Sequence, residues 1–249
     1  MSMRVIISPA KKMNSDTDSL GWTALPAFLE KTRQLLAALL AMDYEQLKQL
    51  WHCNDRIAAL NYQRIQTMEL TAGLTPAILA YEGIQYQYMA PGIFTYDEFD
   101  YIQERLRILS GFYGLLRPFD GVQPYRLEMQ AKAEVAGHKD LYDFWGRRLY
   151  EEVRNDSGVM INLASREYSR CVEKYLTDRD TCITCTFGEM SGEKVITKGT
   201  YAKMARGEMV RFMAEHNVEN PENMKAFDRL GYHFDDKLSS ETEYVFIKE

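Results

Sequence analysis

The sequence has few of the features that mark membrane, secreted or disordered proteins. It contains four cysteines, 15 glycines and seven prolines in 249 residues, which indicates neither a disulfide scaffold nor a low-complexity chain. The longest apolar run, Leu35 to Met42, is far shorter than the roughly 20 residues that span a membrane. The first residues lack the order of a signal peptide, because a short apolar stretch precedes the basic pair. These absences predict a cytoplasmic protein that does not contact a membrane.

Cysteine and histidine are not arranged as in a metal or redox site. Cys182 and Cys185 form a C-x-x-C, but the surrounding CITCTF predicts a strand, on which residues three apart point to opposite faces. The four histidines are scattered, and no Walker A, H-E-x-x-H, G-x-G-x-x-G or G-x-S-x-G motif occurs. We therefore expect buried thiols, no metal ion and no cofactor.

Charge is unevenly distributed along the chain. The formal net charge is −6, which disfavours non-specific nucleic-acid binding by the whole surface. Residues 214–249 carry a net −5 and residues 1–100 a net −3, whereas residues 101–213 carry a net +2. A local basic cleft within an acidic protein is therefore compatible with the composition.

Hydrophobic periodicity and capping residues predict a mixture of helices and strands. The expected strands are Arg4–Ser8, Val159–Leu163, Cys182–Phe187, Lys194–Thr197 and Tyr244–Ile247. The expected helices include 26–42, 44–51, 55–68, 141–154, 165–176 and 200–216. Because strands lie near both ends of the chain, one sheet must bring the ends together. We predict a single α+β domain over residues 1–249, with a mixed β-sheet wrapped by helices.

Residues 96–118 predict a helix-hairpin-helix element. A capping box at 95–98 opens the first helix, whose apolar residues recur at spacings of three and four up to Leu109. Gly111 would end that helix, and Gly114 would lie in the first turn of the next one. Backbone N–H groups uncovered there would bind a phosphate. The alternative is a helical turn that merely requires glycines.

Six stretches are the most distinctive part of the sequence. They are ISPAKKM at 7–13, LRILSGFYGLLRPFDGVQPYRLEM at 106–129, LYDFWG at 141–146, NLASREY at 162–168, KMARG at 203–207 and GYHFD at 231–235. Together they resemble the YaaA peroxide-stress-response family from end to end. The chain departs from the family at Gln130, where a glycine is usual, and within 81–89, which keeps part of a Gly- and Tyr-containing pattern.

The resemblance implies a function in oxidative stress. It suggests a cytoplasmic protein that helps bacteria survive hydrogen peroxide by limiting free iron, and so limiting iron-dependent damage to DNA. It also suggests DNA binding through a positively charged cleft beside a helix-hairpin-helix element. No enzymatic reaction follows from the resemblance.

Basic residues recur in and beside the matching stretches, at strand ends and helix starts. Such positions gather at one edge of a sheet, so we predict one cleft that binds mainly the phosphate backbone of DNA, with little sequence preference. The predicted DNA-binding residues are Lys11, Lys12, Arg107, Gly111, Gly114, Arg117, Arg126, Arg166, Lys203 and Arg206. Lys203 and Arg206 are expected to be exposed. The alternative is a set of separate, solvated surface charges.

Two other functions remain open. One is a nucleic-acid-processing enzyme of glycosylase-lyase or nuclease type in the same cleft, with Lys203 as a Schiff-base nucleophile. Its candidate acid–base groups, which otherwise serve charge balance, are Asp120, Glu128, Glu167 and Glu189. The other is an iron-handling protein, which the lack of a His/carboxylate cluster disfavours. The tyrosines that would stack on unpaired bases, or else pack in the core, are Tyr113, Tyr125 and Tyr168.

Overall fold

A computed structural model describes residues 3–249, so residues 1 and 2 of the predicted domain lie outside it. Its strands are β1 (Arg4–Ile7), β2 (Lys12–Met13), β3 (Thr75–Pro76), β4 (Tyr81–Glu82), β5 (Leu106–Ser110), β6 (Gly114–Leu116), β7 (Gly121–Val122), β8 (Val159–Leu163), β9 (Thr181–Ser191), β10 (Lys194–Ile196), β11 (Tyr232–Phe234) and β12 (Glu243–Lys248). Its α-helices are α1 (Leu29–Leu40), α2 (Tyr44–Trp51), α3 (Asp55–Gln66), α4 (Ala77–Ala80), α5 (Ile84–Met89), α6 (Tyr96–Arg105), α7 (Leu141–Trp145), α8 (Arg148–Val153), α9 (Arg166–Glu173) and α10 (Gly199–Glu215). Short 3-10 helices occupy Pro91–Ile93, Pro221–Ala226 and Arg229–Gly231.

A mixed sheet forms the centre of the fold. Its order is β11-β12-β9-β8-β1-β5-β6, and β10 pairs with β9 off this path. The strands from β12 to β5 are parallel, whereas β11, β6 and β10 pair antiparallel. Val5, Ile6 and Ile7 in β1 are all buried, as in a central parallel strand covered on both faces. The expected α+β class with a mixed sheet and surrounding helices is confirmed.

The strand order reverses between β1 and β8. From β1 the chain proceeds to β5 on one side, whereas β8 pairs on the other side of β1 and leads to β9. In an open sheet of parallel strands, such a reversal leaves a crevice outside the carboxyl ends of the two strands. Within residues 3–249, no helix combines the length and apolarity that crossing a membrane requires.

The helix-hairpin-helix predicted at 96–118 is not present there. Helix α6 begins at the predicted capping box, in which the Thr95 side chain accepts the backbone N–H of Glu98, but it ends at Arg105. Residues 106–116 instead form a β-hairpin in which β5 and β6 pair antiparallel. All five residues of β5 are buried. A strand covered on both faces lacks polar alternation, so its apolar residues also fit the spacing of a helix.

Gly111 and Gly114 belong to the tip of this β-hairpin and not to the start of a helix. Gly114 has a φ of +76°, and a Cβ on it would lie 2.7 Å from the ring of Trp145. A Cβ on Gly111 would overlap the carbonyl oxygen of Leu127. Trp145 Nε1 donates a hydrogen bond of 3.0 Å to the Gly111 carbonyl. Both glycines are buried, so the predicted phosphate site at this hairpin is wrong.

We predict that Gly111→Ala and Gly114→Ala each destabilise the fold. Each added Cβ meets buried atoms, and the left-handed backbone at Gly114 adds strain, so the expected loss is about 1 kcal/mol or more. At this chain length, that corresponds to a thermal midpoint lowered by about 2–4 °C per kcal/mol. Thermal unfolding measures the effect. Gly92→Ala is the control, because a Cβ there meets nothing within 4 Å. Midpoints equal to that of the control would contradict the packing role.

Candidate functional site

A cleft of about 390 Å³ opens outside the carboxyl ends of β1 and β8, at the reversal of strand order. Residues 8–12 after β1 and the start of α9 after β8 form two of its walls. Residues 82–86, residues 125–128 and one face of α10 form the others. Parts of the stretches at 7–13, 106–129, 162–168 and 203–207 therefore line one cleft. This position is the usual ligand site of open sheets with parallel strands.

Side-chain hydrogen bonds hold the ends of β1 and β8 together. Ser8 Oγ accepts the backbone N–H of Ser165 at 2.8 Å and lies 3.2 Å from Ser165 Oγ. Asn162 Oδ1 accepts the N–H of Ala164 at 2.9 Å and shapes the turn into α9. Tyr86 OH donates to the Ser8 carbonyl at 2.9 Å from the opposite wall. Short polar side chains thus satisfy backbone groups where the two strands end.

A close contact between α5 and α10 brings the basic face of α10 to the cleft. A Cβ on Gly207 would overlap the carbonyl oxygen of Gln85 and lie 2.9 Å from the nitrogen of Met89. Because Gly207 lacks a side chain, the two helices approach closely, and Lys203 and Arg206 line the cleft. The glycine of the KMARG stretch therefore has a packing role.

The sequence did not predict the wall formed by residues 82–86. Glu82 and Tyr86 line the cleft here, and Gln85 Nε2 donates to the Leu163 carbonyl at 3.5 Å. The only sequence signal was the partial Gly- and Tyr-containing pattern at 81–89. Helix α5 is six residues long, too short for hydrophobic periodicity to reveal it.

Five of the ten predicted DNA-binding residues line the cleft, and carboxylates neutralise three of them. The five are Lys11, Lys12, Arg126, Lys203 and Arg206. Glu128 pairs with Lys11 Nζ at 2.7 Å and with Arg126 at 3.1 Å. Glu82 pairs with Lys12 Nζ at 2.7 Å. Two cations of the cleft, Lys203 and Arg206, have no ion-pair or hydrogen-bond partner among residues 3–249.

The two unpaired cations differ in their surroundings. Lys203 is exposed, as expected. Arg206 is not: its Nε is buried without a hydrogen-bond partner, and burial lowers the pKa of its guanidinium. Its two terminal nitrogens are not among the buried unpaired atoms of residues 3–249, and the side chain lines the cleft. The N–H groups of Arg206 are therefore available to an anion.

Glu167 is the third carboxylate of the cleft. Its Oε1 accepts the backbone N–H of Gln130 at 3.3 Å, and partial burial raises its pKa. Because Gln130 uses its backbone here, its departure from the family glycine leaves this contact in place.

With all three carboxylates ionised, five cations against three anions give the cleft a net charge of +2. The expected basic cleft within a protein of net charge −6 is thus present.

Two of the three candidate stacking tyrosines reach the cleft. Tyr125 and Tyr168 line it, whereas Tyr113 is 1% exposed and packs in the core. Tyr125 OH lies 2.6 Å from Ser110 Oγ and 2.8 Å from the hydroxyl of Tyr81, and burial raises its pKa to about 12. These hydrogen bonds hold the Tyr125 ring in place at the wall of the cleft.

Arg107 and Arg117 lie near the starts of β1 and β5, at the edge of the sheet opposite the cleft. Arg107 is 5% exposed, and burial lowers its pKa to about 10. Arg117 pairs with Glu152 at 3.6 Å. Asp120, one of the acid–base candidates, accepts the Arg117 N–H at 2.8 Å, and burial raises its pKa to about 6. The predicted convergence is therefore wrong for these residues, as it is for the two hairpin glycines.

Arg166 lies beside the cleft and not in it. It lines a shallow groove along α9 together with Lys132, Arg170 and Lys174. The Arg170 guanidinium lies over the Tyr142 ring, 4.1 Å from its centroid. Glu167 lines both the groove and the cleft, so the two surfaces are continuous. The spacing 166, 170, 174 in the sequence was the signal for this basic stripe.

Glu189 lies outside the cleft. It pairs with Lys198 at 2.6 Å beside the β9–β10 hairpin. Its role there is charge balance, and the remaining acid–base candidates in the cleft are Glu128 and Glu167.

All four cysteines are shielded from solvent to some degree. Cys171 and Cys185 are buried, and Cys53 and Cys182 are partly buried. Burial raises the pKa of Cys171 and of Cys182 to about 12, and it raises the pKa of Cys53 and Cys185 as well. Since the thiolate is the reactive form, these thiols are poor nucleophiles. Among residues 3–249, no group of three or more His, Cys, Asp or Glu side chains could hold a metal ion.

Known proteins resemble this chain over nearly its whole length. The model of a family described as Peroxide stress protein YaaA matches residues 3–238. A UPF0246 protein of Agathobacter rectalis is 56% identical over 247 residues, which cover 99% of each chain. A UPF0246 protein of Lachnoclostridium phytofermentans is 55% identical over 246 residues, covering 99% of this chain and 96% of the relative.

We predict that peroxide does not act through thiols of the native protein. Because all four thiol pKa values are raised by burial, the native chain should titrate with less than about one thiol in a disulfide-exchange assay. The denatured chain should titrate with all four. The assay is repeated after exposure to hydrogen peroxide, which should leave the denatured count unchanged. A rapid loss of titratable thiols would contradict this prediction.

Proposed function

The chain belongs to the peroxide stress protein YaaA family, and we propose that it acts in the response to hydrogen peroxide by binding the phosphate backbone of DNA. The observation that carries the proposal is the cleft of net charge +2, in which Lys203 and Arg206 have no ion-pair or hydrogen-bond partner within the described residues 3–249. Unpaired cations in a crevice with low-dielectric walls attract polyanions strongly, even when the net charge of the protein is negative.

The lysines on the rim suit backbone contacts. The Lys11 and Lys12 side chains are 65% and 76% exposed, and Lys203 is also exposed. A lysine ammonium is a mobile point charge that meets a phosphate without fixing the orientation of a base. Contacts of this kind are largely independent of sequence. We therefore propose binding with little sequence preference.

The basic stripe on α9 offers a continuation of the path. Arg166, Arg170 and Lys174 follow one another along the helix and adjoin the cleft at Glu167. Phosphates along a DNA strand recur at regular intervals, so a row of cations beside the cleft extends the number of possible contacts. Arg166 thus stays a candidate contact, outside the cleft.

We predict that binding to a short duplex weakens with salt, with a log–log slope of about −3 to −5, from about 0.9 per phosphate contacted. Lys203→Gln should weaken binding and reduce the slope by about 0.9. Glu82→Gln should strengthen binding, because it frees Lys12 from its ion pair. Fluorescence anisotropy over a series of salt concentrations measures both effects.

Lys237→Gln is the control for this prediction, since Lys237 is an exposed lysine of the turn before β12, outside the cleft. It should leave affinity and slope unchanged. A flat salt response, or equal losses for Lys203→Gln and Lys237→Gln, would count against a backbone-binding cleft.

We further propose that DNA binding limits iron-dependent oxidative damage. Cations condense on DNA, and a protein that neutralises phosphates releases them. Ferrous ion is such a cation, and it reduces hydrogen peroxide to a hydroxide ion and a hydroxyl radical while becoming ferric. Releasing it from the backbone moves the site of radical formation away from DNA.

We predict that the protein protects a supercoiled plasmid from nicking by ferrous ion and peroxide, and that Lys203→Gln protects less. Radicals produced by irradiation of water form everywhere in solution, so protection against them should be much smaller. Gel electrophoresis of nicked and intact plasmid measures the difference. Equal protection by wild type and variant, or equal protection against both radical sources, would refute the displacement of iron.

An enzyme acting on nucleic acid is the second candidate function. Two observations favour it: Lys203 lines the cleft with no partner among residues 3–249, and burial raises the pKa of the Glu167 carboxyl in the same cleft. A lyase would form a Schiff base between Lys203 and an abasic site, which borohydride reduces to a stable adduct. Adduct formation by wild type and its loss in Lys203→Gln would favour the enzyme over simple binding.

A further inference from the structure

We propose that the floor of the cleft is a subsite for a terminal phosphate, the phosphomonoester of a nucleotide or of a DNA strand end. Arg206 is its ligand on the floor, and the exposed Lys203, which also contacts duplex phosphates, reaches it from the rim. The proposal rests on the proposed function and specifies the kind of phosphate that binds Arg206. Phosphates within a duplex bind at the rim of the cleft, and a terminal phosphate binds at its floor.

The size of the cleft excludes a duplex from its floor. A volume of about 390 Å³ is that of a small-molecule pocket, whereas a duplex is wider than its major groove, which alone measures about 12 Å. A phosphate within a strand carries a sugar on both sides, so it can touch only the rim. A terminal phosphate has one free side and can enter.

The unpaired charges fit the charge of a phosphomonoester. Its second pKa is about 6, so it carries close to two negative charges at neutral pH, whereas a phosphodiester carries one. The cleft has a net charge of +2 after Glu82, Glu128 and Glu167 are counted. Arg206 offers planar N–H donors that match phosphate geometry, and Lys203 adds a point charge.

The rest of the lining suits the nucleoside that carries this phosphate. Apolar and aromatic side chains at the walls include Pro9, Ile84, Tyr86 and Tyr168. Pockets of about 300–1,000 Å³ with mostly apolar walls and a few convergent polar groups are typical of small-molecule sites. Tyrosine rings in addition offer surfaces on which a base can pack.

The surroundings of Arg206 argue against a purely structural role. A structural arginine of this fold, such as Arg229, is paired with two carboxylates, Glu208 and Glu215. The Nε of Arg206 is buried without a partner, as is that of Arg4, Arg105, Arg107 and Arg126. Those four arginines donate other hydrogen bonds, whereas Arg206 has none within residues 3–249. A guanidinium that lines a cleft and has no partner among the described residues contributes no ion pair to the fold, which favours a role in binding.

The test compares wild type with Arg206→Met and Lys203→Gln by calorimetry and by competition. The probes are thymidine 5′-monophosphate, thymidine, and one short duplex carrying either a 5′-phosphate or a 5′-hydroxyl. Wild type should bind the monophosphate and not thymidine, and should prefer the phosphorylated duplex by about tenfold, the effect of one charged hydrogen bond. Both variants should lose monophosphate binding by about tenfold or more.

Arg206→Met should keep affinity for the 5′-hydroxyl duplex within about twofold, since duplex phosphates reach only the rim. Its thermal midpoint should stay the same or rise, because an unpaired buried charge is removed. The matched control is Arg211→Met on the same helix, where Arg211 Nε pairs with Glu215 at 2.7 Å. This control should keep all binding.

The outcomes distinguish a free nucleotide from a DNA strand end as the source of the phosphate, or they rule out the subsite. Monophosphate binding with equal affinity for the two duplexes assigns the subsite to a free nucleotide, and preference for the phosphorylated duplex without monophosphate binding assigns it to a strand end. The subsite is overturned if wild type neither binds the monophosphate nor prefers the phosphorylated duplex. It is also overturned if Arg206→Met weakens binding of both duplexes equally. Failure to bind any duplex overturns the proposed function alone, since the monophosphate arm still tests Arg206.

Discussion

The pairing of β1 with β8 is the contact on which the candidate site depends. The two strands run parallel in register from Arg4–Met160 to Ile7–Leu163, so they end side by side. The chain then departs in opposite directions, and no connecting segment fills the space between them. Hydrogen bonds between Ser8 and Ser165 join the ends of the two strands and form the floor of the cleft. Side chains from α5 and α10 line the cleft above it.

The positive charge of the cleft depends on which of its cations form ion pairs with carboxylates. Glu128 and Glu82 neutralise the lysines and the arginine that come from the loops. The cations that come from α10 meet no carboxylate, because the face of α5 opposite them contributes Gln85 and Tyr86. A protein of net charge −6 repels a polyanion over most of its surface, so the unpaired charges direct it to one place.

Local signals in the sequence were sufficient for much of the fold. Helix α2 occupies the predicted 44–51, with Asp43 as its cap, and Asn54 caps α3 as expected. These predictions succeed because a cap is a contact between residues three apart, which the sequence contains in full. The β-hairpin at 106–116 failed for the opposite reason. Whether LRILS is a strand or a buried helical turn depends on its pairing with Val5 to Ile7, about a hundred residues away.

Long-range strand pairing also decides which predicted site residues reach the cleft. The rule that strand ends gather at one edge holds for residues after β1 and β8, which are parallel. Strand β6 runs antiparallel to β5, so Arg117 at its carboxyl end lies at the opposite edge, near Arg107. There Arg117 pairs with Glu152, and Arg107 donates hydrogen bonds to backbone carbonyls. Both edges are rich in arginine, and what distinguishes the candidate site is that two of its cations lack an ion-pair or hydrogen-bond partner in the part of the chain that the structure describes.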